Sequence, residues 1–313
     1  MIVRERPSGI RMFLLLRGSV LPRILPALLV CTAAAIIVTW THGDLFKWKV
    51  TLTTIPFTLI GLPLAIFLGF RNNAAYGRFW EGRRLWGEIV YKCRILSRQC
   101  QTLIQDDQVV DAKNGLSDIR IRMVYRSIAF AHALRHFLRD TDLESDVIGL
   151  LLATELKQFQ FYSNKPDFLM LKMGEDIAQC FRDKKIDSNI VLAIDATISD
   201  MSAAAAACER IKSTPIPFSY TLLLHRTAYI YCFLLPFGLV DSIGLMTPFV
   251  VAVVAYTFFG LDALGDEIEE PFGMESNDLP LNGICRAIEI NLRESIKDRN
   301  IPTPIVPINY CIS

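Results

Sequence analysis

The chain has 313 residues, 52% of them hydrophobic and 21% charged, with a formal net charge of +1 and a mean hydropathy of +0.33. So apolar a sequence excludes an ordinary soluble domain, and so much charge excludes a bundle lying wholly in lipid; a membrane part joined to a sizeable polar part is expected. The near-neutral balance gives no support to a nucleic-acid partner.

Residues 1–23 form an N-terminal segment, expected in the cytosol, with Arg4, Arg6, Arg11, Arg17 and Arg23 ahead of a long apolar run. No small-residue cleavage site ends that run, so it is expected to be a retained span and not a removed signal. A hydrocarbon core about 30 Å thick takes roughly 20 residues of helix. Residues 24–40 carry no charge and end on Trp40, a residue suited to the interface. Residues 50–70 also carry none and contain Pro56 and Pro63. These two spans occupy residues 24–70.

The region 71–214 opens with Arg71, Arg78, Arg83, Arg84, Lys92 and Arg94, and it is too long to be a loop. Apolar residues recur at three and four over 120–139 (Met123, Ile128, Ala131, Leu134, Leu138), and similarly over 168–181 and 190–211, so the region is read as helical and without strands. Thr214-Pro215-Ile216-Pro217 breaks the chain. Within 215–261, residues 217–240 and 242–261 are the third and fourth spans. Residues 262–313 begin acidic, continue with an amphipathic helix (Leu281, Ile284, Ile288, Leu292, Ile296) and end in a proline-rich, extended tail. Lys and Arg are dense in the N-terminal segment and from Arg71 on, whereas the first inter-span link carries only Lys47 and Lys49 and the last carries neither type. Both termini and the region 71–214 are therefore expected in the cytoplasm. The eight cysteines form no Cys-x-x-Cys pair, which argues against a zinc ribbon or redox motif and suits free thiols in a reducing compartment.

Leu62, Ile66 and Phe70 stand at i, i+4 and i+8 on the second span, in layers about 6 Å apart. A ring of such helices would stack three apolar collars, which can gate by dewetting; the same spacing also serves a lipid-facing or helix-packing stripe. Arg71, Asn72 and Asn73 follow at the end of the span, either as a vestibule wall or as an interfacial cap. His225 and Arg226 lie inside the third span, where ionisable groups are costly; a structural partner, Asp262 or a backbone carbonyl, is expected. His132 and His136, with Asp140 a turn further, have a spacing that can hold zinc, but packing histidines are the expected reading.

Three blocks of sequence resemble the bacterial branch of the bestrophins. The first runs Ala65-Ile66-Phe67-Leu68-Gly69-Phe70-Arg71-Asn72-Asn73-Ala74-Ala75-Tyr76-Gly77-Arg78, then Glu81, Arg83, Leu85, Trp86 and Gly87. The second is Cys208-Glu209-Arg210-Ile211, Thr214-Pro215-Ile216-Pro217-Phe218 and Leu224-His225-Arg226-Thr227. The third is Glu270-Pro271-Phe272-Gly273 with Asn277-Asp278-Leu279-Pro280. The resemblance implies an all-α membrane protein with four transmembrane helices per subunit and a large helical cytosolic region, assembled as a homopentamer in the bacterial inner membrane around one axial pore for monovalent ions. It puts the pore neck on Leu62, Ile66 and Phe70, with Leu62 departing from the isoleucine common in relatives. It puts a second, cytosolic constriction at Ile190, with Leu192 and Ile194 as alternatives. In animal members a calcium clasp surrounds the Pro-Phe-Gly segment. Here Glu267, Glu270, Glu275 and Asp278 are its remnant, and Met274, Ser276 and Asn277 interrupt the acidic run, so no metal or other cofactor is expected.

A passive channel is thus the leading expectation, with chloride the ion of the wider family and sodium or another cation the alternative for its bacterial branch. A secondary transporter would show inverted repeats, and none is visible. A membrane enzyme would show a nucleophile elbow, a phosphate loop or a metal framework, and none is visible. A scaffold whose cytosolic body binds a partner is compatible with the same residues.

Overall fold

The computed structural model describes residues 1–3, 9, 15–16, 18–42, 44–45, 48–49, 52–106 and 108–312. Arg4, Arg6, Arg11, Arg17, Lys47 and Val50, used above for orientation and span limits, lie outside the described residues. In chain order the helices are α1 (Leu21–Trp40), α2 (Thr54–Leu103), α3 (Ile119–Arg139), α4 (Glu144–Val147), α5 (Ala153–Phe159), α6 (Lys165–Arg182), α7 (Ser188–Ser213), α8 (Phe218–Ile243), α9 (Thr247–Glu269) and α10 (Leu281–Ser295). Strands β1 (Asp44–Leu45) and β2 (Trp48–Lys49) pair antiparallel between α1 and α2, with Asp44 opposite Lys49. That two-residue hairpin is too short to leave an alternating pattern in the sequence.

The chain divides into two units: a span unit, Arg4–Phe79 with Pro215–Glu270, and a body, Met1–Val3 with Trp80–Thr214 and Pro271–Ser313. In the span unit, Pro22 opens α1 and Pro248 opens α9, where a missing N–H is harmless, whereas Pro26, Pro63 and Pro236 lie inside α1, α2 and α8. The interior of this unit is made of small and aromatic residues. Cys31 and Ala35 of α1 meet Val251, Ala255 and Phe259 of α9, with Phe57, Cys232 and Leu235 closing the cluster. Small side chains let the helix backbones approach, which is how helices associate where no hydrophobic effect separates lipid from protein. At Gly238 of α8 the approach is close enough that a methyl group would overlap the Phe57 ring.

The body is organised around α3, which Asp118 starts by accepting from Arg120 N at 2.9 Å. α6, α7 and α10 pack on it through apolar stripes: Phe168, Leu169, Met173 and Ile177 on α6, and Leu281, Ile288 and Leu292 of the expected stripe on α10, where Cys285 is buried in place of the half-buried Ile284. Charge enters this core in paired form. Arg126, buried, donates to Asp176 at 2.6 Å, to Lys172 O at 2.8 Å and to Glu155, while Arg122 holds the same Asp176 with two bonds of 2.8 and 2.9 Å.

By length and hydropathy four stretches can cross a membrane: Leu21–Trp40, Thr54–Leu103, Ser188–Ser213 and Phe218–Glu269, the last holding both α8 and α9. The sequence reading did not include α7. Its alanine run raises its hydropathy, yet it belongs to the body, where Ile194, Ile198, Met201, Ala205 and Cys208 pack inward. The second span also does not stop at Phe70: with no helix breaker after Pro63, α2 continues to Leu103.

Candidate pore face and its ion-pair anchor

Within the span unit, α2 has two opposite faces. At about 100° per residue, Leu64, Leu68, Arg71 and Ala75 fall on one side, and all four are buried. Leu62, Ile66 and Phe70 fall on the other and remain 66%, 46% and 62% exposed. Asn73, exposed, continues that outward face beyond Phe70. The segment therefore packs through one stripe and leaves a stepped row of apolar side chains exposed, with the Phe70 ring edge-on to its helix neighbour Phe67.

Directly after the row, Arg71 turns inward. It was expected among the vestibule-lining residues; instead its side chain is wholly buried in ion pairs. Nη1 donates to Asp262 Oδ1 at 2.7 Å, Nη2 donates to Asp266, and Glu269 Oε2 stands 3.7 Å away. A guanidinium this deep is tolerated only with such partners. The three carboxylates lie at i, i+4 and i+7 on α9 and so share a face. Arg23 of α1 adds a contact to Asp266 at 3.4 Å, and Arg78 Nε donates to Glu269 O at 2.9 Å. His225 of α8 meets Asp262 Oδ2 through Nδ1 at 2.6 Å, the partner foreseen from the sequence. All four span-unit helices are thus tied into a single charged cluster. Gly265 makes room for it: a side chain there would overlap Asn72 Oδ1 and press on the Arg71 guanidinium. Asn72 donates to Leu261 O at 3.0 Å, which makes it a helix tie more than a wall residue. Arg226 is exposed on α8.

The sequence reading missed Asp266 and Glu269 as partners of Arg71. The acidic spacing after residue 261 was the available signal, but it reads equally as a solvated surface or a cation site. Of the clasp remnant, Glu267 and Glu270 belong to the span unit, at the C-terminal end of α9 and just past it, and Glu275 and Asp278 belong to the body. There Asp278 is buried and accepts from Glu275 N at 2.7 Å, closing its own turn. Among the described residues, no group of three or more His, Cys, Asp or Glu side chains is placed to share a metal ion. His132 and His136 are occupied by carboxylates, His132 with Glu289 at 3.4 Å and His136 with Asp146 at 2.9 Å, while Asp140 pairs with Lys212 at 2.6 Å.

On α7, Asp187 caps the helix by accepting from Asn189 N and Ile190 N at 2.8 and 3.0 Å. Of the three residues considered for a second constriction, Ile194 is fully buried and therefore excluded, Ile190 is half-buried, and Leu192, on the opposite face, is 69% exposed.

Residues 1–294 match the family model of the bacterial and fungal bestrophin proteins. The chain belongs to that family. It is 42% identical over 300 residues to a voltage-dependent anion channel-forming protein of Mesorhizobium japonicum, covering 95% of this chain and 92% of that one. It is 40% identical over 308 residues to the voltage-dependent anion channel-forming protein YneE of Escherichia coli K12, covering 98% of each. Among solved structures it is similar to a bacterial bestrophin homologue of Klebsiella pneumoniae, with a TM-score of 0.82 and 36% identity over 88% of this chain and 99% of that one. Family and apolar helices together make this an integral membrane protein.

Proposed function

We propose that the chain is one subunit of a homopentameric ion channel in the bacterial inner membrane, with both termini in the cytoplasm and the α2 face of Leu62, Ile66 and Phe70 turned to the axis. The observation that carries this reading is the opposition of the two α2 faces, one packed and anchored by Arg71, the other apolar, stepped and exposed. Repeated around an axis, that face gives three collars about 6 Å apart. An ion would shed part of its hydration there and pass because the constriction is short; apolar walls select neither sign, so charge in the vestibules would bias selectivity. Asn73 is the vestibule residue this reading keeps. A second constriction lies on the first turns of α7, at Ile190 or Leu192. The names of the relatives favour anion passage, and chloride is the ion proposed first, with sodium the alternative.

The test is recording in planar bilayers with purified protein under a salt gradient, together with native mass spectrometry for stoichiometry. A reversal potential near the chloride equilibrium supports an anion channel; one near the cation equilibrium reassigns the ion but keeps the pore. Replacing Leu62, Ile66 and Phe70 together by alanine is expected to raise unitary conductance or relax selectivity while the oligomer stays intact. Unchanged currents would remove these residues from the pore. Alanine placed separately at Ile190 and Leu192 assigns the second constriction to whichever position changes ion preference.

A further inference from the structure

Within the body lies an open cavity of about 350 Å³, bounded by the last turn of α3, Thr141, Asp146, the turn leading into α10, the start of α10 and Ile305. Arg135, Arg139 and Arg286 face it with His136, against a single carboxylate, Asp146. Arg135 donates to Asp146 and contacts His136. Arg139 spends its donors on neutral acceptors, Phe272 O at 3.0 Å, Asn282 Oδ1 at 3.0 Å and Leu279 O at 3.2 Å, and Asp278 offsets its charge only through space. Arg286 is the least engaged. Its Nε is buried without an acceptor, and its carboxylate contact, Glu289 Oε2, is 3.9 Å away. That Glu289 already accepts from Arg293 at 2.9 Å.

The neighbours register the excess of positive charge. Burial and then the Arg135 charge pull Arg139 below the usual arginine range. Burial, aided by Arg135, depresses His136 although Asp146 opposes the shift. With His136 neutral, the lining carries two more positive than negative charges. We propose that this cavity binds a small oxyanion of the phosphate class, either free or as a phosphate headgroup, with Arg286 as its main donor. Planar guanidinium forks match an anion with several oxygens better than a halide, and a dianion balances the lining charge. Met274 and Ile305 supply an apolar rim for an organic substituent. The site is independent of the pore reading.

Inorganic phosphate titrated calorimetrically into the detergent-purified full chain, in chloride buffer at neutral pH, is expected to bind saturably. Arg286→Gln, which breaks no hydrogen bond among the described residues and gives up only the 3.9 Å contact with Glu289, should weaken binding by about tenfold or more with an unchanged melting temperature in the absence of phosphate. Absence of saturable binding to the wild type, or equal affinity in Arg286→Gln, overturns the proposal. Should that variant fail to fold, Ile305→Glu places a carboxylate at the rim; binding is expected to drop, and an unaltered affinity counts against the site. Repeating the titration in nanodiscs separates the sources. Loss of phosphate binding in phosphatidylglycerol but not in phosphatidylcholine assigns the site to an acidic lipid headgroup, and retention in both assigns it to free phosphate.

Discussion

Helices α1 and α3 have 20 and 21 residues and invert the usual link between hydropathy and burial. α1 is strongly apolar, yet Leu29, Val30, Ile36 and Ile37 are each more than half exposed. α3 carries a charge at almost every turn, yet Arg120, Arg126, His132 and Arg135 are all buried. The body thus completes its own interior and pairs most of the charge it buries there, as with Arg120 and Arg126. The span unit keeps only a narrow interior of small residues and turns the rest of its apolar surface outward, which is stable only where the surroundings are lipid or other copies of the chain. Both units nevertheless bury an arginine against several carboxylates, Arg71 in one and Arg126 in the other.

The largest effects should come from breaking those two clusters. Arg71→Ala leaves Asp262 buried without its guanidinium, and Arg126→Ala does the same to Glu155, while Asp176 keeps Arg122; each should cost about 3–5 kcal/mol and be read as a fall in melting temperature and folded yield in detergent. Arg71→Met combined with Asp262→Leu should recover part of the loss. If Arg71→Ala melts like the wild type, the anchor reading of the span unit fails. A smaller effect is expected from Gly238→Ala, where the added methyl meets Phe57: about 1–3 kcal/mol, relieved by Phe57→Leu. No relief would mean that the α2–α8 approach is looser than described.

The smallest effect concerns the body alone. Burial, assisted by Arg135, sets the folded pKa of His136 below its unfolded value, so the unfolded chain binds the proton more readily. Stability from this group is complete above the ordinary histidine value of about 6.5 and declines as pH falls from there towards the folded value. Asp146 adds a second decline at lower pH. Burial alone would raise its carboxyl, but the His136 bond and the Arg135 charge hold it below the usual range, so its contribution is lost as pH falls through that depressed value. Melting curves against pH for His136→Gln should lose the upper step and keep the lower one; an unchanged upper step would assign it to another group.

Much of this was legible along the chain. Uncharged runs of membrane length, the Thr214-Pro215-Ile216-Pro217 break and the periodicity of α3, α6, α7 and α10 are local signals, because turn chemistry and helical period act over a few residues. The triplet Leu62, Ile66 and Phe70 was visible as a stripe for the same reason. What a local signal cannot say is which way a stripe faces. Leu64 and Leu68 are as apolar as Leu62 and Ile66, and only packing against α8 makes the first pair interior. Nor could spacing tell that Arg71 turns inward to Asp262, or that Ile194 is core while Leu192 is surface. Those outcomes depend on which helix lies alongside, a contact between residues nearly two hundred positions apart for Arg71 and Asp262. The sequence by itself determined the elements and their solvent; the tertiary structure decided the faces, because burial of a side chain is a property of its neighbours and not of its own chemistry.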